Sequence, residues 1–154
     1  MKQSTLIVGL GILGLILNGC AQSDILSSAP AAGAASPADR VDVYYMHRTL
    51  RCISCLTIER NTRQALQDTF AAEMRDGRVT FHVADYWINT ELAQRYNVDT
   101  VSVIVVTVVK GKEVSHENLD RVWSLKGDSQ EFRTYIVDAV RAAQAKTATA
   151  ASRS

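Results

Sequence analysis

From about residue 40 to residue 144 the chain alternates between two hydrophobic rhythms, one of period two and one of three to four. Val41-Asp42-Val43-Tyr44-Tyr45-Met46 is β-branched and aromatic and predicts a strand. From about Ile53 the period lengthens. Cys55, Ile58, Thr62, Leu66, Phe70 and Met74 recur at helical spacing, and Glu59 with Arg63 makes an i,i+4 pair on the other side. Asp76-Gly77 ends this helix, because glycine suits the left-handed position past a helix end. Residues 78–83 alternate again, with Val79, Phe81 and Val83 on one face of a second strand. Asn89 to Tyr96 reads as a short helix, and Val101 to Val109 as a strand covered on both faces. Lys110-Gly111-Lys112 is a turn, followed by a short edge strand from Glu113 to His116. Residues 118–127 read as loop or a helical turn. Asp128 and Glu131 are spaced like a capping box, and Phe132, Tyr135, Ile136, Ala139, Val140 and Ala143 form the apolar stripe of a last helix.

The order is strand, helix, strand, helix, strand, strand, helix. Strands joined through helices are expected to lie parallel by right-handed crossovers, so the first three should be parallel and the fourth should pair by hairpin. The expectation is an α/β fold with a four-stranded mixed sheet flanked by three helices, occupying residues 40–144. About a hundred residues suffice for one core.

The ends of the chain have a different character. Residues 1–19 combine Lys2, a run of twelve apolar residues (LIVGLGILGLIL) and small residues before Cys20, the pattern of a secretory signal. Twelve residues span only about 18 Å as a helix, short of the ~30 Å hydrocarbon core. Leu17-Asn18-Gly19-Cys20 resembles a bacterial lipobox, which implies lipidation of Cys20 and cleavage before it. More than one acyl chain suffices for stable anchoring. Ala21 favours the outer membrane by analogy with enterobacterial sorting. Residues 20–39 are rich in Ala, Ser, Pro and Gly and read as a flexible tether, reaching roughly 25 Å on average. Residues 145–154 are expected to be a disordered tail.

Charge narrows the partners. Without residues 1–19, sixteen basic side chains face sixteen acidic ones, with no basic run of five or more. Nucleic acid is disfavoured, because binding it rests on concentrated positive surface.

With Cys20 lipidated, two sulfurs remain, in HRTLRCISCLTI. Cys52 and Cys55 could be an electron-transfer dithiol, a pair of ligands for a soft metal or metalloid, or a static staple. Zinc would normally need two more ligands, and a c-type haem would need His where Leu56 stands. Two thiolates suit soft ions such as Cu(I), with His47 or His116 as candidate nitrogen donors. A C-x-x-C placed after a strand in a βαβ context is the stronger signal, and it points to redox chemistry.

That placement resembles the thioredoxin fold over about residues 41–143. YYMHRTLRCISCLTIE, VDTVSVIVV, NLDRVW and GDSQEF are similar, more closely, to the small thioredoxin-like nitrophenyl compound nitroreductase subunit ArsF family. This resemblance implies a redox-active disulfide, an arsenical-resistance setting and reduction of nitroaromatic compounds. The dithiol itself is the redox group; nothing in the chain resembles a flavin site, and no other cofactor is expected. A lipid-anchored protein of the cell envelope, facing the periplasm, would take electrons from a membrane-embedded thiol reductase or permease. It would pass them to an envelope protein disulfide or a small oxidised substrate. Disulfides form and persist in that compartment.

The chain departs from ordinary thioredoxins in two places. Ser102 stands where those proteins carry a cis-proline facing the dithiol, and both prolines of the chain, Pro30 and Pro37, lie in the tether. A cis bond before a non-proline residue costs about 3 kcal/mol, so Val101–Ser102 is expected to be trans. Met46 stands where thioredoxins place a buried aspartate.

The residues around the pair suggest a division of labour. Cys52 at a helix N-terminus faces unpaired N–H groups and the positive end of the dipole, with Arg51 adjacent and Arg48 close. These would favour its thiolate. Cys55, one turn in, should be more buried. Cys52 would then attack and Cys55 resolve the mixed disulfide.

Overall fold

The computed structural model describes residues 38–152. The expected signal, the Cys20 expected to be lipidated and all but the last two residues of the expected tether lie outside the described residues. Strand β1 (Arg40–His47) is followed by α1 (Ile53–Arg75), β2 (Val79–Asp85), α2 (Thr90–Arg95), β3 (Ser102–Val109), β4 (Lys112–Asn118), α3 (Val122–Leu125) and α4 (Ser129–Ser152).

The four strands form one mixed sheet in the order β2-β1-β3-β4. β1 pairs in parallel with β2, from Val41↔Val79 to His47↔Asp85. β3 runs antiparallel to β1, with Met46 opposite Ser102, so the expectation that the first three strands are all parallel is corrected. The reason lies in the connection. Six residues of α2 rise about 9 Å, whereas an eight-residue strand is about 26 Å long. The turns around α2 close locally instead, with the N–H groups of Ile88 and Asn89 both on the Asp85 carbonyl and Val98 N–H on Ala93. The chain therefore re-enters the sheet at the end where β2 leaves it. β4 closes by a hairpin, and Lys110 and Gly111 both take positive φ (51° and 75°), as a two-residue turn of matching twist requires.

Alternation assigns the sheet faces. Val41, Val43 and Tyr45 point one way, toward α1, whose Arg63 lies 4.7 Å over the Phe81 ring. Tyr44 and Met46 point the other way, toward α2, where the Tyr96 ring is 5.8 Å from that of Tyr44. The buried stripe of α1 is Cys55, Ile58, Thr62, Ala65, Leu66 and Phe70, matching the spacing in the sequence. Ile58, Leu66 and Phe70 each contribute roughly 1.5–3 kcal/mol on burial. Every residue of β3 is buried, as its unbroken Val and Ile run predicts. β2 is an edge strand, and along its face Val79 is buried, Phe81 half-buried and Val83 exposed. The buried carboxylate of Asp42 is satisfied by Arg40 Nε at 2.8 Å and by the Thr80 hydroxyl at 2.7 Å.

The helix ends follow local chemistry. After Asp76, Gly77 (φ 73°) lets its N–H reach the Met74 carbonyl while Arg78 N–H reaches Glu73, which satisfies two orphan acceptors. Asp128 Oδ1 accepts from the N–H groups of Gln130 (3.1 Å) and Glu131 (2.9 Å), the expected N-cap. Glu131 does not reach back; its carboxylate pairs with Arg121 at 3.2 Å. α4 packs along α1 and β3, and Arg133 bonds Asp68 of α1 at 2.8 Å. α4 continues through Ser152, into the segment expected to be a disordered tail. Alanine has the best helix propensity, and Thr147 and Thr149 turn their hydroxyls onto the Gln144 and Ala145 carbonyls rather than competing with the helix. Among the described residues no helix is long and apolar enough to cross a membrane.

Candidate dithiol site at the end of the sheet

The parallel β1–β2 pair and the antiparallel β3 bring three chain segments to one end of the sheet. These are the loop after His47, the loop after Asp85 and the entry to β3 at Val101–Ser102. Cys52 lies where the first loop becomes α1. It has extended backbone (φ −87°, ψ 166°) and serves as the N-cap, its Sγ accepting the Cys55 N–H at 3.2 Å. A sulfur thus takes the position usually held by Ser, Thr, Asp or Asn. The two cysteines are joined as a disulfide, with Cα atoms 5.0 Å apart. Their environments differ sharply: Cys52 is exposed, while Cys55 is 1% exposed within the core. The first turn of α1 carries no acidic residue, so nothing there opposes the helix dipole.

Cys55 is held from behind. The buried Tyr45 donates its hydroxyl to the Cys55 carbonyl at 2.7 Å, and burial raises the Tyr45 pKa above the ordinary tyrosine value. The Arg51 guanidinium lies 5.7 Å over the Tyr45 ring and is ion-paired with Glu59, which also takes Arg63 at 3.1 Å. Arg51 is therefore in place beside Cys52 in the chain, but its charge is engaged along α1. Arg48 stacks 5.0 Å over the Trp87 ring in the neighbouring loop.

That neighbouring loop is organised by Asp85. Its carboxylate accepts the Thr49 hydroxyl at 2.5 Å and the Trp87 N–H at 2.9 Å, tying the two loops together. The Thr49 hydrogen bond, more than any other contact, holds the Asp85 carboxyl below its usual range, against the effect of burial. His47 places Nδ1 2.9 Å from the Arg48 carbonyl; a carbonyl only accepts, so Nδ1 carries the proton. Among the described residues no three His, Cys, Asp or Glu side chains gather as a metal site, so His47 is not assembled with the two sulfurs into a three-donor set.

Val101 and Ser102 are at the same end of the sheet and both are buried. The peptide between them is trans, as expected for a residue that is not proline, since the described residues contain no cis bond. Trp123 donates its indole N–H to the Val101 carbonyl at 2.8 Å, so α3 braces the entry to β3. Met46 is fully buried opposite Ser102. Several large apolar side chains remain exposed here: Ile53 (85%), Leu50 (77%), Ile88 (73%) and Trp87 (53%).

Sequence reasoning identified the two cysteines and the arginines, but missed Glu59 as the partner of Arg51, the Tyr45 hydroxyl, Asp85 and the Trp123 brace. Glu59 was readable only as a partner of Arg63. Its place seven residues after Cys52, on the same side of a helix, was the available signal for its nearness to the site.

The sheet order, the helices on both faces and the cysteine pair opening α1 make this a thioredoxin-like α/β domain, the fold expected from the element order and motif. Among solved structures the chain is similar to thioredoxin from Fasciola hepatica, at 23% identity over 65% of this chain and 81% of that one, TM-score 0.39. It is similar to thioredoxin from Trypanosoma brucei brucei at 22% identity over 67% and 77%, TM-score 0.40. A malarial protein is matched at 14% identity over 66% of this chain and 98% of that one, TM-score 0.42. No protein-family model and no curated protein matches the chain.

Proposed function

We propose that this protein is a thiol-disulfide oxidoreductase, or an electron-transfer subunit, that works through Cys52 and Cys55. The observation that carries the reading is the asymmetry of the pair: an exposed sulfur capping a helix N-terminus, and a buried one a single turn behind it. In the reduced protein the Cys52 thiolate attacks one sulfur of a partner disulfide. That S–S bond breaks, a Cys52–partner disulfide forms, and the partner's other sulfur leaves as a thiolate. Cys55, losing its proton, then attacks the Cys52 sulfur, which closes the Cys52–Cys55 bond and releases the second partner thiolate. Two electrons have moved to the partner, and its two thiolates take up protons. A membrane-embedded thiol reductase or permease returns the two electrons.

The exposed apolar rim of Leu50, Ile53, Trp87 and Ile88 favours a polypeptide partner, because small monomers rarely leave such patches uncovered. The lipobox at Cys20 supports anchoring to the bacterial envelope, facing the periplasm, and the motif resemblance supports supply of electrons to nitroaromatic or arsenical reduction. A module that holds a soft metal or arsenical on the two thiolates, without turnover, is the competing reading, and the same test separates them. Cys55→Ser should accumulate mixed disulfides through Cys52 in envelope fractions, while Cys52→Ser should not. Tight stoichiometric Cu(I) or arsenite binding that needs both sulfurs, with no mixed disulfide in either variant, would replace this reading with the binding one.

A further inference from the structure

We propose that Glu59 sets the reduction potential of the Cys52–Cys55 pair by withholding the Arg51 charge from Cys52; this rests on the reading above that the pair cycles. Arginine directly before a helix-capping cysteine would ordinarily lend its charge to the thiolate. Here the Arg51 guanidinium is ion-paired with Glu59 and drawn over the Tyr45 ring. The second Glu59 oxygen takes Arg63 at 3.1 Å, so one carboxylate is shared by two guanidinium groups. Its side chain is also the most covered of the three, at 17% exposed against 28% for Arg51 and 46% for Arg63.

Helix geometry makes this carboxylate the one that counts. Seven residues on from Cys52, it lies about 20° round α1 and about 10 Å along the axis. It is also the first acidic residue of that helix. The other charged groups at this end of the sheet are engaged elsewhere: Arg48 over Trp87, and Asp85 with Thr49 and the Trp87 N–H. His47 has its Nδ1 on the Arg48 carbonyl. Glu59 therefore counters the helix dipole at Cys52 in two ways, by its own charge and by its hold on Arg51. Both lower the stability of the thiolate, and so of the reduced form, which keeps the pair toward the reducing end of its range.

The test uses the purified full chain in detergent, equilibrated with glutathione redox buffers. Glu59→Gln keeps the shape and an acceptor oxygen for Arg51 but removes the charge. It should shift the equilibrium toward the dithiol by about two- to tenfold, tenfold corresponding to about 30 mV, and lower the pH at which Cys52 ionises. Arg51→Gln should shift the equilibrium the opposite way, and by more in the Glu59→Gln background than in the wild type, because there no carboxylate charge offsets Arg51. Arg63→Gln, which leaves Glu59 to Arg51 alone, should move it toward the disulfide and serves as the check should Glu59→Gln fail to fold. An unchanged or more reducing potential in Glu59→Gln would overturn the proposal, as would an Arg51→Gln effect equal in both backgrounds. A wild-type pair that never exchanges with glutathione would defeat the cycling reading itself, and this proposal with it.

Discussion

The Tyr45 hydroxyl offers a test of how the buried cysteine is held. Tyr45→Phe deletes one oxygen and leaves the ring, which is fully buried, in place. What is lost is a 2.7 Å hydrogen bond to the Cys55 carbonyl. That carbonyl keeps a partner, because residue 59 of α1 stands four positions on and donates its N–H in the helical ladder. No acceptor is left wholly unsatisfied, so the cost is the net value of one hydrogen bond, about 0.5–1.5 kcal/mol, rather than a full desolvation penalty. Truncation to Ala would instead empty the ring's site at about 3–5 kcal/mol. The assay is urea unfolding of the oxidised protein, comparing midpoints at equal slope. A loss above about 3 kcal/mol in the Phe variant would mean that the ring itself moves. No loss at all would mean that the hydroxyl does not hold the turn that carries Cys55.

Three further outcomes follow from the same contacts. Asp128→Ala removes the acceptor of the Gln130 and Glu131 N–H groups and should cost about 1 kcal/mol in thermal or urea unfolding. Trp123→Phe removes the donor to the Val101 carbonyl and should speed hydrogen exchange at the start of β3 while leaving β2 unaffected. Thr49→Val removes the main cause of the depressed Asp85 pKa. A depressed folded-state pKa gives stability that is present above the unfolded value, near pH 4, and lost as pH falls through the folded value. The stability gap between wild type and Thr49→Val should therefore be widest at neutral pH and shrink below about pH 4, which pH-dependent unfolding would check.

Much of the fold was legible because burial leaves a periodic trace. The stripes from Cys55 to Phe70 and from Phe132 to Ala143, and the Val-rich run before Lys110, each imposed one element with little ambiguity. The direction of β3 was not legible, since a fully buried strand has the same hydrophobic pattern whichever way it runs. Only the local closure of the turns around α2 decided it. The exposure of Val83 was hidden for a related reason: alternation names a face but not whether anything covers it at a sheet edge. At the site, the motif located both cysteines and their unequal burial. The fate of Arg51 was out of reach, because adjacency in the chain does not fix where a long side chain pairs. Trp123, distant in sequence from the Val101 carbonyl it holds, needed the sheet to be built first.

If Cys52 is the ready nucleophile and Cys55 the sheltered partner, the two sulfurs of the reduced protein must differ in reactivity. Alkylation, followed for each cysteine by mass spectrometry across pH, measures that difference. Cys52 should react first, with a midpoint below the ordinary thiol value of about 8.5, while Cys55 lags at every pH. A midpoint for Cys52 at or above that value, or earlier modification of Cys55, would contradict that assignment of roles.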